Sequence, residues 1–221
     1  MHESIEKIKI IKDKIKEIII KKQLKTNPKI IAVTKKFSQK SIIPLLDAGH
    51  EHFGENKVQE AEEKWPLLKK KYKNIHLHMI GKLQSNKAKK AVHLFDYIHS
   101  LDSVKLANKL SFYEKELNKK NKIFIQVNIG EENQKSGVLL NNLPNFYNHC
   151  KNELSLNIVG LMCLPPESFN SEKYFKILKK LSDSFVLNEL SMGMSSDYDQ
   201  AVINGSTYLR IGTAIFGPRN T

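Results

Sequence analysis

A lysine that follows a short apolar run is the first residue whose type and position could support chemistry. The run "KIIAVT" (residues 29–34) leads directly into Lys35 and Lys36. In a parallel sheet such a run is a buried strand, and functional groups gather at its carboxyl end. A lysine amine in a partly apolar mouth loses solvation and becomes a nucleophile toward carbonyls, which a Schiff base to an aldehyde cofactor requires. The pattern does not choose between the two lysines.

A second candidate site lies near the end of the chain, in "LSMGMSSDYDQAVINGSTYLRIGTAIFG" (190–217). Backbone N–H groups of small residues after the last strands of a barrel frequently bind phosphate. The small and hydroxyl-bearing candidates are Ser191, Ser195, Ser196, Gly212 and Thr213. Arg210 stands inside an apolar run, and a buried guanidinium is costly unless it is paired. It therefore requires a carboxylate or a ligand acceptor.

Eight short apolar runs would have to position these residues, and helical patterns separate them. Such alternation predicts a parallel sheet, and eight units in about 200 residues fit a (β/α)₈ TIM barrel. An open doubly wound sheet is the alternative, because alternation alone does not prove closure. The runs are KIIAVT (29–34), EHFGE (51–55), IHLHMIG (75–81), FDYIHS (95–100), KIFIQVNI (122–129), NIVGLMC (157–163), NELSMG (188–193) and TYLRIG (207–212).

The N-terminal segment, residues 1–24, predicts an amphipathic helix packed on the barrel. Its isoleucines recur at helical spacing between lysines, at Ile5, Ile8, Ile11, Ile15, Ile18 and Ile19. A membrane-surface helix is the alternative. Neither a linker nor a composition break marks a second domain, so we expect one domain over residues 1–221. The long loop candidate is 128–145, after the fifth strand.

Composition indicates a folded protein and leaves one alternative function open. The 221 residues include 36 Lys+Arg and 23 Asp+Glu, giving a net charge of +13. The charge and "KKKYK" (69–73) could indicate a nucleic-acid-binding protein, but lysine is abundant throughout and no nucleic-acid-binding motif accompanies it. Cys150 and Cys163 are not spaced as a metal or disulfide framework. No signal peptide or membrane span is evident, so we expect a cytoplasmic protein that binds no membrane. We also expect a monomer, because no long apolar stripe is left over once the barrel helices are packed.

Several motifs, in order along the chain, resemble one known family. They are "AVTK", "HFGEN", "IGKLQSNK", "VNIG" with "QKSGV", and "ELSMGMSSDYDQAVINGSTYLRIGTAIFG". Together they resemble the pyridoxal phosphate homeostasis protein family, a single-domain relative of the alanine racemase barrel. The similarity runs from about residue 29 to 217, and the last motif is long and specific. Departures are Thr34 where serine is usual, Leu77 near an aromatic position, and Lys82.

The resemblance implies which residues hold pyridoxal 5′-phosphate (PLP). Lys35 would form the Schiff base, which leaves Lys36 without a role, and Asn56 would lie beside the cofactor. Arg210 would face the pyridine nitrogen. The phosphate would be held by Ser191, Gly212 and Thr213, with Ser195 as a weaker candidate.

The resemblance also implies a carrier of PLP that binds, buffers and supplies the cofactor. An arginine at the pyridine nitrogen keeps that nitrogen unprotonated, so the ring is a poorer electron sink. We therefore expect no strong turnover, and PLP-dependent apoenzymes are the partners implied. The alternative is a weak amino-acid racemase that uses Lys35 on one face and water or Tyr208 on the other. Because the sequence ends at Thr221, we expect no second domain of the kind that a racemase has.

Three further groups of residues receive hypotheses from the sequence. Lysines at the rim could relay the anionic cofactor, namely Lys135, Lys87, Lys89 and Lys90. His76 and His78 alternate on one strand and could bind a metal, but no third ligand lies at a telling spacing. Glu51 and Glu55 flank "HFG" and could be paired carboxylates, though nothing fixes their separation.

Overall fold

The computed structural model describes residues 2–132, 134–166 and 170–218. Eight parallel strands hydrogen-bond in sequence order, and the last pairs with the first to close a barrel. The predicted (β/α)₈ fold is therefore confirmed, and the open-sheet alternative is wrong. The strands are β1 (Lys29–Val33), β2 (His52–Glu55), β3 (His76–Met79), β4 (Tyr97–Leu101), β5 (Lys122–Val127), β6 (Ile158–Cys163), β7 (Glu189–Ser191) and β8 (Tyr208–Ile211).

Helices return the chain from each strand to the next, as parallel pairing requires. The helices of the described ranges are α1 (Glu3–Lys22), α2 (Gln39–Asp47), α3 (Val58–Lys71), α4 (Ala88–Leu94), α5 (Val104–Glu116), α6 (Leu143–Asn148), α7 (Ser171–Ser184), α8 (Tyr198–Ile203) and α9 (Thr213–Phe216). A π-helical turn, His149–Glu153, continues α6. Most strands are shorter than the runs that predicted them, by one to three residues at one or both ends, and β4 extends one residue beyond its run.

Helix α1 packs on the barrel, as the sequence predicted. Its buried face carries Ile8, Ile11 and Ile15, and it contacts α8 and α9. The His2 side chain caps the helix by accepting from the backbone N–H of Ser4 at 3.3 Å. Among the described residues, no helix combines the length and apolar character that a bilayer span needs.

Two apolar clusters hold the fold together. The larger one lies between the sheet and the helices and includes the fully buried Trp65. The smaller one fills the barrel interior with Ile31, Tyr97, Phe124, Met162 and Tyr208. Each large side chain buried in this way contributes roughly 1.5–3 kcal/mol to folding.

Both cysteines are buried, and neither forms a disulfide. Burial raises the pKa of the Cys150 and Cys163 thiols to about 12. Both thiols therefore stay protonated and unreactive at neutral pH.

Candidate functional site

A cavity of about 490 Å³ opens at the carboxyl ends of the strands, the end where barrels carry their sites. The residues that line it come from the loops after most of the strands and from β8. They are Val33, Lys35, Asn56, Ile80, Lys135, Leu164, Pro165, Met194, Ser195, Ser196, Arg210, Gly212 and Thr213. The structure thus brings five of the six predicted cofactor contacts to one cavity, the exception being Ser191.

A tight turn after β1 separates the two lysines that the sequence pattern left equivalent. The backbone N–H of Phe37 donates to the Thr34 carbonyl at 3.1 Å. Lys36 occupies the left-handed region with φ of 65°, is exposed, and donates its backbone N–H to the carboxylate of Glu60. Lys35 is half-buried and lines the cavity, whereas Lys36 is not among the lining residues.

The buried lysine of α3, Lys64, holds this turn from beneath. Its ammonium group donates to the backbone carbonyls of Thr34 at 2.9 Å and Phe37 at 3.2 Å, the two residues that bracket Lys35. It also forms an ion pair with Glu60 at 2.8 Å. Because these contacts fix both ends of the turn, Lys64 determines the direction in which Lys35 leaves the barrel.

Glu55, the last residue of β2, is fully buried and pairs with the same ammonium group. Its Oε1 lies 2.8 Å from Lys64 Nζ and accepts from Thr34 Oγ1 at 2.7 Å and Trp65 Nε1 at 3.0 Å. Burial raises the pKa of Glu55, and the charge of Lys64 opposes that rise. The threonine at position 34 thus contributes a hydrogen bond. Glu51 is exposed at the other end of β2, so the two glutamates do not form a carboxylate pair.

The wall formed by β8 and the loop after β7 presents backbone donors. Ser195 Oγ accepts from the backbone N–H groups of Gly212 at 3.3 Å and Ala214 at 3.2 Å. An oxygen acceptor is therefore already accommodated at the position where an anion would be bound. The loop is tight at Gly193, whose φ is 92° and where an added Cβ would lie 2.4 Å from the Cβ of Ala201.

Arg210 is 4% exposed and reaches the cavity from β8. Its Nη1 donates to Ser191 Oγ at 2.7 Å, and its Nη2 donates to the Cys163 carbonyl at 2.8 Å. No ion pair among the described residues includes it. Burial lowers the pKa of Arg210, but a guanidinium stays charged in proteins. The ligand acceptor that the sequence predicted for this charge stays a prediction.

Ser191 lies within the barrel, fully buried, and does not line the cavity. Its hydroxyl contacts Arg210 and also lies 2.8 Å from His99 Nδ1. The phosphate role implied for Ser191 stays a prediction, while its observed contacts orient Arg210. The serine that does line the cavity between the donors of Gly212 and Ala214 is Ser195, which was the weaker candidate.

A column of three histidines continues from Ser191 through the barrel interior. His99 Nε2 lies 2.9 Å from His78 Nδ1, and His78 Nε2 lies 2.9 Å from His52 Nδ1. Burial holds the pKa of His78 and of His99 well below its usual value. Burial and nearby positive charges lower the pKa of His52 to about 3. The three imidazoles are therefore neutral at physiological pH and form one hydrogen-bonded chain beneath Arg210.

The rim lysines fall into two groups. Lys135 lines the cavity, pairs with Glu132 at 2.7 Å and donates to the Pro165 carbonyl at 3.2 Å. Lys87, just before α4, and the two lysines of α4 do not line the cavity. Lys89 pairs with Glu116 at 2.5 Å, and Lys90 pairs with Glu62 at 2.9 Å, so both are engaged with neighbouring helices on the outer surface.

The closed barrel, Lys35 after its first strand and the backbone N–H donors beside β8 share one cavity. This is the arrangement expected of a barrel protein that binds a phosphorylated aldehyde. The family model of the alanine racemase N-terminal domain matches residues 11–220. The pyridoxal phosphate homeostasis protein of Haemophilus influenzae is 35% identical over 202 residues, covering 87% of this chain and 85% of that protein. The Synechocystis protein of the same name is 38% identical over 200 residues, covering 86% and 91%. This chain belongs to the pyridoxal phosphate homeostasis protein family.

Solved structures agree with this assignment. The structure of PipY from Synechococcus elongatus with PLP bound has a TM-score of 0.79 and 35% sequence identity, and the match covers 92% of this chain and all of PipY. An alanine racemase from Clostridium difficile has a TM-score of 0.69 at 11% identity, with 56% of that chain covered. At that identity the racemase shows a shared fold alone.

Proposed function

We propose that this protein binds PLP covalently through Lys35 and acts in intracellular PLP homeostasis, by binding, buffering and supplying the cofactor. The observation that carries the proposal is the convergence of Lys35, Arg210 and the donors of Gly212 on a single cavity. The relatives named for PLP homeostasis and the PLP-bound PipY structure support it.

The residues of the cavity fit this cofactor. Its volume of about 490 Å³ lies within the range of small-molecule sites. Lys35 would add its amine to the aldehyde carbon with loss of water, and Asn56 would flank that bond. The backbone N–H groups that now donate to Ser195 Oγ, with Thr213, would hold the phosphate. The bound group supplies a reactive aldehyde and an electron-withdrawing ring, whose nitrogen Arg210 would face.

Weak or absent turnover is part of the proposal, and two features of the chain support it. Arg210 cannot give up its proton, so it favours an unprotonated ring nitrogen and a poorer electron sink. A racemase would also need an acid on the face opposite Lys35. Tyr208, the candidate from the sequence, is 1% exposed, does not line the cavity, and donates its hydroxyl to Tyr97 at 3.3 Å. A weak racemase that uses water remains the second candidate function.

Supply of the cofactor to PLP-dependent apoenzymes completes the proposal. Lys135 stands at the cavity with its charge balanced by Glu132, and it is the one rim lysine of the sequence hypothesis that lines the cavity. It would meet an anionic ligand that enters or leaves. The α4 lysines carry no part of this step, because they pair away from the cavity.

The test compares the two adjacent lysines of the turn. Purified wild-type protein, Lys35→Ala and Lys36→Ala are titrated with PLP, and the absorption of the covalent adduct is followed. We expect the band in the wild type and in Lys36→Ala, and no band in Lys35→Ala. Loss of the band in Lys36→Ala alone, or its survival in Lys35→Ala, would refute the assignment. Chiral analysis of alanine and serine incubated with the loaded protein tests for racemisation, and we expect none above background.

A further inference from the structure

The N-terminal mouth of the barrel, at the end opposite the cavity, carries a second cluster of ligating side chains. His52 begins β2, His76 begins β3, and the two are paired in register. Glu51 immediately precedes His52. One ligand atom from each of these three side chains lies within 4.8 Å of the other two. None of the three lines the PLP cavity.

Register explains why the sequence did not predict this cluster. The alternation suggested His76 together with His78, and it offered no third ligand. In the barrel, His78 lies one layer deeper and contacts His52. The true neighbours of His76 come from the adjacent strand, 24 and 25 positions earlier in the chain. The His52 and His76 rings stack with centroids 4.8 Å apart and planes inclined by 24°.

The deeper layer prepares His52 as a ligand. His52 Nδ1 lies 2.9 Å from His78 Nε2, and in the tautomer in which His52 Nδ1 donates this hydrogen bond, His52 Nε2 keeps its lone pair for coordination. Ligating histidines usually use their second nitrogen for such an outer contact, which fixes the tautomer and the ring orientation. The 8% exposure of His52 keeps its ring in place.

We propose that Glu51, His52 and His76 form a binding site for a divalent transition metal ion such as Zn²⁺. Two imidazoles and one carboxylate are a ligand set that zinc uses when one coordination position stays open. Tetrahedral ligand atoms around zinc lie about 3.3 Å apart, so atoms now within 4.8 Å of one another must close by up to about 1.5 Å. Glu51 is exposed and His76 half-buried, so both can rotate inward and the ion can enter from solvent.

The positive charges of two nearby lysines, Lys29 and Lys122, repel a metal ion at this site and affect which ions the site prefers. Lys29 and Lys122 lie beside the two tyrosine rings that flank His52, whose centroids are 5.9 Å (Tyr208) and 6.3 Å (Tyr97) from the His52 ring. Their ammonium groups lie 5.6 Å from the Tyr208 ring centroid and 5.1 Å from the Tyr97 ring centroid. A hard ion such as Mg²⁺, which prefers oxygen ligands and keeps its waters, gains little from imidazoles to offset this repulsion. The site therefore favours Zn²⁺ or Co²⁺ over Mg²⁺.

The experiment uses the full chain without an affinity tag, cleared of metal and titrated with Co²⁺ and then Zn²⁺. A protein site of low coordination number gives Co²⁺ intense visible absorption, and Zn²⁺ should displace it. We expect one Co²⁺ per chain, and an affinity that falls about tenfold or more in His76→Asn and in Glu51→Gln. The control is His149→Asn, which removes a half-buried histidine paired with Glu153 at 2.8 Å elsewhere on the protein and should leave the titration unchanged.

Circular dichroism of each variant establishes that it is folded before the titration is interpreted. Two results would overturn the proposal. One is weak, octahedral-type Co²⁺ absorption in the wild type, which marks an adventitious ion only. The other is the same affinity in the wild type, His76→Asn and Glu51→Gln. Neither result depends on PLP, so the test is independent of the cofactor site.

Discussion

Mild acid should destabilise this protein through the histidine column of the barrel interior. His52, His78 and His99 are buried and neutral, with native pKa values below the ordinary value of a histidine. The unfolded chain therefore binds more protons than the native one once the pH falls below about 6.5. The stabilisation is complete above that pH and is lost as the pH falls toward the native pKa values.

The magnitude follows from proton linkage. His52, with an unfolded pKa of about 6.5 and a native pKa lowered to about 3, loses about 2 kcal/mol of folding free energy between pH 7 and pH 5. His78 and His99, whose pKa values burial lowers in the same direction, add to this loss, which is a large part of the stability of a typical domain. Glu55 and Glu114, whose pKa values burial raises, offset part of this loss. The native barrel should therefore be marginal near pH 5.

The assay is urea unfolding at a series of pH values between 7 and 5, followed through the fluorescence of the buried Trp65. A chelator in the buffer removes any contribution from metal ions. His78→Gln removes one titrating group, so the slope of unfolding free energy against pH should fall by about 1.2 kcal/mol per unit near pH 5.5. His93→Gln replaces an exposed histidine and should keep the wild-type slope.

Two results would refute this reasoning. Unfolding free energy that is constant from pH 7 to pH 5 would mean that the column does not resist protonation. An unchanged slope in His78→Gln would mean that other groups cause the acid sensitivity. The overall stability of His78→Gln does not enter the comparison, because the slope is the quantity that reports proton uptake.

Two further substitutions test how the barrel holds its site, both by urea unfolding. Gly160→Ala places a Cβ 2.0 Å from the Glu189 carbonyl oxygen on β7 and should lower the free energy of unfolding by about 3 kcal/mol or more. The control Gly49→Ala meets nothing within 4 Å but has φ of 77°, so it should lower that free energy by only about 1 kcal/mol. Equal losses in the two variants would contradict the packing argument. Lys64→Met leaves Glu55 buried without its cation and should lower the free energy of unfolding by about 3 kcal/mol, and it should weaken PLP binding because the Lys35 turn loosens. The control Lys70→Met, at an exposed position of the same helix, should stay within about 0.5 kcal/mol of the wild type. An unchanged PLP affinity in Lys64→Met would contradict the positioning role of Lys64.

The barrel could be predicted because its signals are local. Each strand is a short apolar run, each helix has its own periodicity, and the alternation of the two constrains topology strongly. Strand ends were less accurate. Ile80, for example, lies past the end of β3 and lines the cavity, although its apolar character assigned it to the run.

The site was predicted in part, because residue types alone do not report direction. Lys35 and Lys36 have the same chemistry, and only the left-handed turn at Lys36 separates their surroundings. Ser191 and Ser195 are likewise indistinguishable as donors. Ser191 contacts Arg210 inside the barrel, whereas Ser195 lines the cavity.

The sequence did not reveal the contacts between elements that are distant along the chain. The support of the turn by Lys64 joins α3 to the end of β1, and the histidine column joins three strands. The histidine column depends on parallel register, and the Lys64 contact depends on how α3 packs against the sheet. Both bring together residues 20 to 30 positions apart. The inward-facing histidines at alternate positions of successive strands were the available signal, and it becomes readable once closure and register are known.

The central claim is covalent attachment of PLP at Lys35, and one measurement tests it most directly. The wild-type protein is loaded with PLP, reduced with borohydride to fix the link, digested, and mapped by mass spectrometry. The account predicts one phosphopyridoxyl group per chain, on the peptide that contains Lys35, with Lys36 and Lys135 unmodified. Label spread over surface lysines, or concentrated on any lysine other than Lys35, would contradict it.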